Sequence, residues 1–201
     1  MNGDYPRDEI TGVVLAGGRA TRMAGNDKGL IEVLGRPMVV YVAEALRPWV
    51  GTLMVNANRN VEDYARLCDC PIVGDRIDGY AGPLAGMASA LEASTTRYLL
   101  AAPCDSPLVA PELGPRLYRA LLAEDAEVSV AHDGTRMQPV FALLRRELLA
   151  DCLAYLESGG RKIDTWYLSR RLAQADLSEF PDMFLNINTF EDRARIEERM
   201  G

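Results

Sequence analysis

The stretch Ile10-Thr-Gly-Val-Val-Leu-Ala-Gly-Gly-Arg-Ala-Thr-Arg-Met-Ala-Gly-Asn-Asp-Lys-Gly29 decides how the rest of the chain is understood. Val13-Val14-Leu15 is an apolar run that meets Gly17-Gly18, which predicts a buried strand whose backbone turns sharply at its end. A basic, glycine-punctuated loop follows, carrying Arg19, Arg22 and Lys28. Glycine lets backbone N–H groups approach a ligand closely. With these cations added, the economical reading is a polyphosphate cradle. The dinucleotide pattern G-x-G-x-x-G does not follow the strand, and Lys28 lies between Asp27 and Gly29 rather than in G-x-x-x-x-G-K-[ST]. Phosphates would therefore be held partly by backbone and partly by the Arg and Lys side chains.

Outward from this stretch, apolar spacing and breaker residues predict helices over 38–47, 61–67, 84–93, 111–123, 145–157 and 163–171, with a charged one beginning at Thr189. Pro37 and Pro111 suit helix starts, where a missing N–H costs nothing, and Pro48 closes the first helix. Strands are predicted over 52–56, 71–73, 97–102, 127–131, 139–143 and 184–188. The run 97–102 is apolar throughout, as for a central strand covered on both faces. His132-Asp-Gly-Thr135 makes the turn between the strands over 127–131 and 139–143. Strands alternating with helices mean βαβ units, so the expected fold is α/β: a three-layer, doubly wound, mainly parallel, Rossmann-like sheet. Ligands then bind beyond the carboxyl ends of the strands, where Gly17-Gly18, Asn56, Asp75 and Asp105 all emerge. One domain over 1–201 is expected, its nucleotide-binding part at about 8–110 and its acceptor-binding part at about 111–201.

Composition narrows the function classes. The 201 residues are 48% hydrophobic and 25% charged, ordinary for a globular chain with a substantial core. The net charge of −7 argues against a nucleic-acid binder. No stretch reaches the roughly 20 apolar residues of a membrane span, and the polar, acidic start does not read as a signal peptide, so a cytoplasmic location is expected. Cys68, Cys70, Cys104 and Cys152 show no zinc spacing and are expected to be reduced and structural.

Asp105 sits between Pro103 and Pro107, which restrict its backbone and would aim the carboxylate out of the sheet edge. A carboxylate facing a polyphosphate needs a cation between them, and Mg²⁺ takes one or two carboxylates plus phosphate oxygens; the plainer alternative is that Asp105 caps a turn. His132, the single histidine, falls in the hairpin turn and reads as a surface residue. Without an evident general base, the nucleophile should already be ionised, as a terminal phosphate is and a sugar hydroxyl is not. Positioning, Mg²⁺ and cationic charge then suffice for attack on a nucleotide α-phosphorus with release of pyrophosphate.

Leu15-Ala-Gly-Gly-Arg-Ala-Thr-Arg-Met23 with Asp27-Lys28-Gly29 resembles the signature of nucleotidyltransferases with a glycosyltransferase-A-like fold, and within them the molybdenum cofactor guanylyltransferases. Val55-Asn-Ala-Asn-Arg59, Asp75, Tyr80-Ala-Gly-Pro-Leu-Ala-Gly86, Pro103-Cys-Asp-Ser-Pro107 and Phe184-Leu-Asn-Ile-Asn188 resemble further family segments in the same order. The resemblance implies transfer of GMP from GTP to the terminal phosphate of molybdopterin or Mo-molybdopterin, with Mg²⁺ as cofactor. It implies nucleotide contacts from Leu15, Ala16, Gly17, Gly18, Arg19, Asn56 and Asp75, a phosphate-binding Lys28, charge stabilisation by Arg22 and a metal-binding Asp105. Asn186 and Asn188, and more weakly Arg161, would hold the acceptor. Other cofactor-biosynthesis proteins and apo-molybdoenzymes or their chaperones are the implied partners. Ala24 departs from the family, which commonly has glycine there.

Plainer readings stand beside these. Asn186 and Asn188 alternate with Leu185 and Ile187, which also fits the exposed face of an amphipathic strand. The run 191–199 reads as a solvated helix face, and Arg145-Arg146 as the start of a surface helix or part of a basic groove. A cytidylyltransferase on the same cofactor usually carries Leu-Ala-Ala-Gly, which makes Gly17 the discriminating residue. A non-catalytic GTP-binding carrier of the cofactor is the alternative from outside enzymes.

Overall fold

A computed structural model describes residues 5–17, 27–76 and 82–201. In chain order these form β1 (Ile10–Leu15), β2 (Glu32–Val33), β3 (Arg36–Pro37), α1 (Met38–Leu46), β4 (Thr52–Asn56), α2 (Val61–Cys68) and β5 (Ile72–Val73). They continue as α3 (Pro83–Ala93), β6 (Tyr98–Pro103), α4 (Leu113–Ala123), β7 (Val128–His132), β8 (Met137–Arg145), α5 (Leu149–Glu157), α6 (Ile163–Leu168), β9 (Leu172–Asp176) and α7 (Phe190–Met200).

Seven strands form one sheet in the order β5-β4-β1-β6-β8-β7-β9, and β2 and β3 make a separate hairpin. Pairs β5·β4, β4·β1, β1·β6 and β7·β9 are parallel, whereas β8 is antiparallel to both β6 and β7. Within this sheet β8 therefore runs against all its companions. The mainly parallel, three-layer α/β expectation holds, and no helix among the described residues is long and apolar enough to cross a membrane.

Both sheet faces are covered, which is why β1 and β6 are apolar without alternation. Val14, Leu100 and Ala102 face α1, α2 and α4, while Val13, Leu15, Leu99 and Ala101 face α3, α5 and α6. A smaller cluster of Val33, Met38, Ile187 and Ile196 ties α7 to the β2–β3 hairpin. Helix α7 begins in a capping box, with the Thr189 side chain accepting from Asp192 N and the Asp192 carboxylate accepting from Thr189 N.

Several expectations need correction. Residues 184–188 are not a strand: Pro181–Phe184 is a 3₁₀ turn, and beyond it Ile187 N donates to Asp105 O, just past the end of β6, at 3.0 Å. Apolar–polar alternation there reflects one side chain, Ile187, buried in a loop. Residues 145–148 finish β8 and form a 3₁₀ turn, so the helix begins only at Leu149. The helix from Ile163 ends at Leu168, and β9 follows at the sheet edge, unpredicted because Leu-Ala-Gln-Ala-Asp carries no β-branched or aromatic residue. Pro37 immediately precedes α1, Pro48 lies in a 3₁₀ turn after it, and α4 starts at Leu113 rather than Pro111.

Candidate active site

Register brings the candidate residues together. Leu15 lies level with Asn56 on one side and Pro103 on the other, and Asn56 lies level with Val73. The ladder runs one step further: Ala16 N donates to Asn56 O, Ala57 N to Val73 O, and Cys104 N to Leu15 O, at 2.8, 3.0 and 3.1 Å. Gly17, Asp75 and Asp105 thus leave the sheet side by side at its carboxyl edge. They line a cavity of about 580 Å³ together with Leu15, Ala16, Lys28, Asn56 and Asn186.

At one end of the cavity an amide–carboxylate pair is held in a fixed orientation. Asn56, only 2% exposed, donates from Nδ2 to Asp75 Oδ1 at 2.9 Å and to Val73 O at 3.1 Å. Asn58 Nδ2 donates to Asp75 Oδ2 at 2.8 Å, while its Oδ1 accepts from Asp75 N at 2.7 Å. The pair has room because its neighbours are glycines. A Cβ on Gly86 would lie 2.3 Å from Asn56 Oδ1, and one on Gly17 would lie 2.9 Å from the same atom.

Lys28 and Asp105 share another part of the lining. Lys28 Nζ donates to Asp105 Oδ2 at 3.0 Å and to Asn188 Oδ1 at 2.6 Å, joining segments 160 residues apart. Ser106 Oγ donates to Asn186 Oδ1 at 2.5 Å. Asn186 is therefore drawn to Ser106, just after β6, and Asn188 to Lys28, rather than displayed on a strand face.

Sequence reasoning missed one wall of the cavity. Gln138, Pro139, Val140 and Phe141 line it because β8 runs antiparallel and enters the sheet at the carboxyl edge of its neighbours. Val130 pairs with Ala142 but Ala131 pairs with Gln138, so residues 139–141 bulge out of the ladder. Pro139, which has no N–H to pair, was the sequence signal for this break. Asp27 was missed as a separate actor although it stands in the quoted motif; it lines the cavity beside Lys28. Arg161 is turned away from the lining: Nη1 donates to Leu156 O and Gly160 O, at the end of α5. Gly18, Arg19 and Arg22, like Tyr80 and Ala81, lie outside the described residues.

The chemistry of the lining follows from its charges. Asp27, Asp75 and Asp105 face a single described cation, Lys28. Among the described residues no three acidic, histidine or cysteine side chains surround a common point, so these residues offer no complete metal cage. A hard cation taking one carboxylate here would complete its shell from phosphate oxygens, as Mg²⁺ does. Asp105 pairs with the Lys28 ammonium at 3.0 Å, and both residues line the cavity. Burial, reinforced by the Asp105 and Asp27 carboxylates, pushes the Cys104 thiol up, so it stays protonated in the cavity wall. His132 takes no part: its Nδ1 accepts from Gly134 N at 3.0 Å in the hairpin.

Residues 12–174 match the model of the MobA-like NTP transferase domain. The chain belongs to that family. A molybdenum cofactor guanylyltransferase from Cupriavidus pinatubonensis is 48% identical over 191 residues, covering 92% of this chain and 95% of its own. One from Shewanella pealeana is 44% identical over 193 residues, covering 96% of each. The fold matches that of molybdopterin-guanine dinucleotide biosynthesis protein A from Archaeoglobus fulgidus, with a TM-score of 0.79 at 20% identity over 94% of this chain and 98% of that one.

Proposed function

We propose that this MobA-like nucleotidyltransferase transfers GMP from GTP to the terminal phosphate of molybdopterin or Mo-molybdopterin, forming the guanine dinucleotide cofactor and releasing pyrophosphate. The observation that carries this is the division of a single cavity between the Asn56–Asp75 pair and the Lys28–Asp105 pair. A carboxylate held between two amides suits the adjacent N1–H and N2–H donors of guanine, whereas cytosine offers only its N4 amino group there. Gly17 supports the same choice, since an alanine would crowd Asn56 Oδ1 and disturb that pair.

The nucleotide occupies the part built from residues 8–110, between the backbone of Leu15, Ala16 and Gly17 and the side chains of Asn56 and Asp75. Lys28, with Gly18, Arg19 and Arg22, holds the triphosphate. Asp105 would hold Mg²⁺, which would supply neutralisation of phosphate charge during transfer. A phosphate oxygen of the acceptor forms its bond to the α-phosphorus as the bond to the β-phosphate oxygen breaks, and the electron pair leaves with pyrophosphate. The attacking phosphate is already ionised, so no residue need remove a proton. Asn186 and Asn188, in the part built from residues 111–201, orient the acceptor, whereas Arg161, bonded to Leu156 O and Gly160 O, has no role in it.

The test is GMP transfer from labelled GTP to the reduced pterin cofactor with Mg²⁺, using the native protein and Asp105→Ala. Transfer by the native protein and loss of at least 100-fold in kcat for the variant are expected. Equal activity with CTP, or GTP binding without any transfer, would refute the reading.

A further inference from the structure

Tyr64, on α2, is fully buried, and its hydroxyl donates to Asp27 Oδ1 at 2.5 Å. The other oxygen of Asp27 accepts from Asn60 Nδ2 at 3.3 Å, so both oxygens of this 7%-exposed carboxylate are engaged from the α2 side. Gly29 rests on the same tyrosine: a Cβ there would lie 2.7 Å from the Tyr64 hydroxyl and 3.0 Å from its ring. Asp27 and Gly29 flank Lys28 in sequence. One buried ring thus pins the chain on both sides of the lysine, once by a hydrogen bond and once by close contact. The short turn is closed by Leu30 N donating to Asp27 O and Ile31 N to Lys28 O, at 3.0 and 3.1 Å. A lysine side chain has many rotamers, and confining its backbone reduces the volume its ammonium can explore.

We infer that Tyr64 is a positioning residue for the transfer: acting through Asp27 and Gly29, it sets where the Lys28 ammonium stands relative to Asp105 and Asn188. This rests on the reading of Lys28 as a phosphate ligand. Asp27 serves here as the anchor, held through both its oxygens by Tyr64 and Asn60 from the α2 side. Burial first, and then the neighbouring Cys104 and Asp27, push the phenol up, so Tyr64 remains the donor throughout the physiological range.

The chain has two lysines, Lys28 and the exposed Lys162, which makes a direct test available. Tyr64→Phe keeps the ring and removes the hydroxyl. Limited acylation of native protein without nucleotide, read by peptide mass spectrometry, should label Lys28 three- to tenfold faster in Tyr64→Phe, with Lys162 unchanged. Asp27→Asn, which sets an amide against Asn60, should raise Lys28 labelling in the same direction by a smaller factor. It serves also if Tyr64→Phe does not fold. Unchanged Lys28 labelling in a folded variant overturns the inference. Calorimetry adds the functional arm: Tyr64→Phe should weaken GTP binding about tenfold in the native background and not at all in Lys28→Ala. The same loss in both backgrounds would make Tyr64 a general buttress and overturn the inference. Faster Lys28 labelling in a protein whose GTP affinity ignores Lys28→Ala would support the positioning and refute the phosphate-binding role instead.

Discussion

Replacing Gly86 by alanine should damage nucleotide binding out of proportion to its chemistry. Gly86 lies inside α3, where alanine would ordinarily stabilise the helix by about 1 kcal/mol. Here the new Cβ would stand 2.3 Å from Asn56 Oδ1, 2.9 Å from its Cγ and 3.0 Å from Leu15 Cδ2. Asn56 is 2% exposed and bonded to both Asp75 and Val73, so it cannot move aside without breaking those bonds. Overpacking costs roughly 1–3 kcal/mol, and a displaced hydrogen bond to a carboxylate about 1.5–3 kcal/mol. Less the helix gain, net destabilisation of about 1.5–5 kcal/mol is expected by urea denaturation. Misalignment of the Asn56–Asp75 pair should weaken GTP binding by roughly 10- to 100-fold in calorimetry. The two effects have one cause, so Asn56→Ala with Gly86→Ala should be no less stable than Asn56→Ala alone. Gly86→Ala with native GTP affinity, or losses that simply add in the double variant, would refute the reasoning.

Two further outcomes follow from other parts of the molecule. The Asn188 backbone N–H, then the Thr189 side chain, hold the Asp192 carboxyl below its ordinary range of about 4. That contribution is present above the ordinary value of about 4 and is lost as pH falls through the lower folded value, so stability should drop as pH is lowered below about 4. Asp192→Asn should drop less over that interval in urea midpoints, and an equal drop would remove Asp192 as the cause. Among the thiols, Cys70 is only half-buried and is held down by a hydrogen bond from Cys68, whereas Cys152 is pushed up to about 12 by burial. An aromatic disulfide reagent should titrate one thiol rapidly in native protein, mapped to Cys70 by mass spectrometry, and the others only on unfolding. Rapid reaction at Cys104 or Cys152 would contradict their burial.

Apart from the short β2–β3 hairpin, strand and helix identity was legible from residues 10 to 123 because a parallel sheet buried on both faces needs apolar runs, and the turns between them need glycine and proline. The carboxyl-edge rule then located Asn56, Asp75 and Asp105 without any contact map. Legibility failed where contacts cross long sequence distances. Residues 184–188 alternate like a strand, but Ile187 is anchored by a single backbone bond and buried between α7 and the β2–β3 hairpin. Strand β9 is ordered by its pairing with β7 rather than by its own side chains.

The quoted stretch alone determined that a strand ends in a glycine turn beside cations, since backbone geometry and charge density are local properties. Tertiary structure decided what surrounds it. The reversed direction of β8 supplies a wall from residues 138–141. Tyr64, 36 residues beyond Lys28, fixes the turn that carries that lysine. Lys28 itself meets Asp105 and Asn188, which no spacing in the sequence connects. Such contacts depend on where separate elements pack against one another, and a linear pattern does not encode that distance.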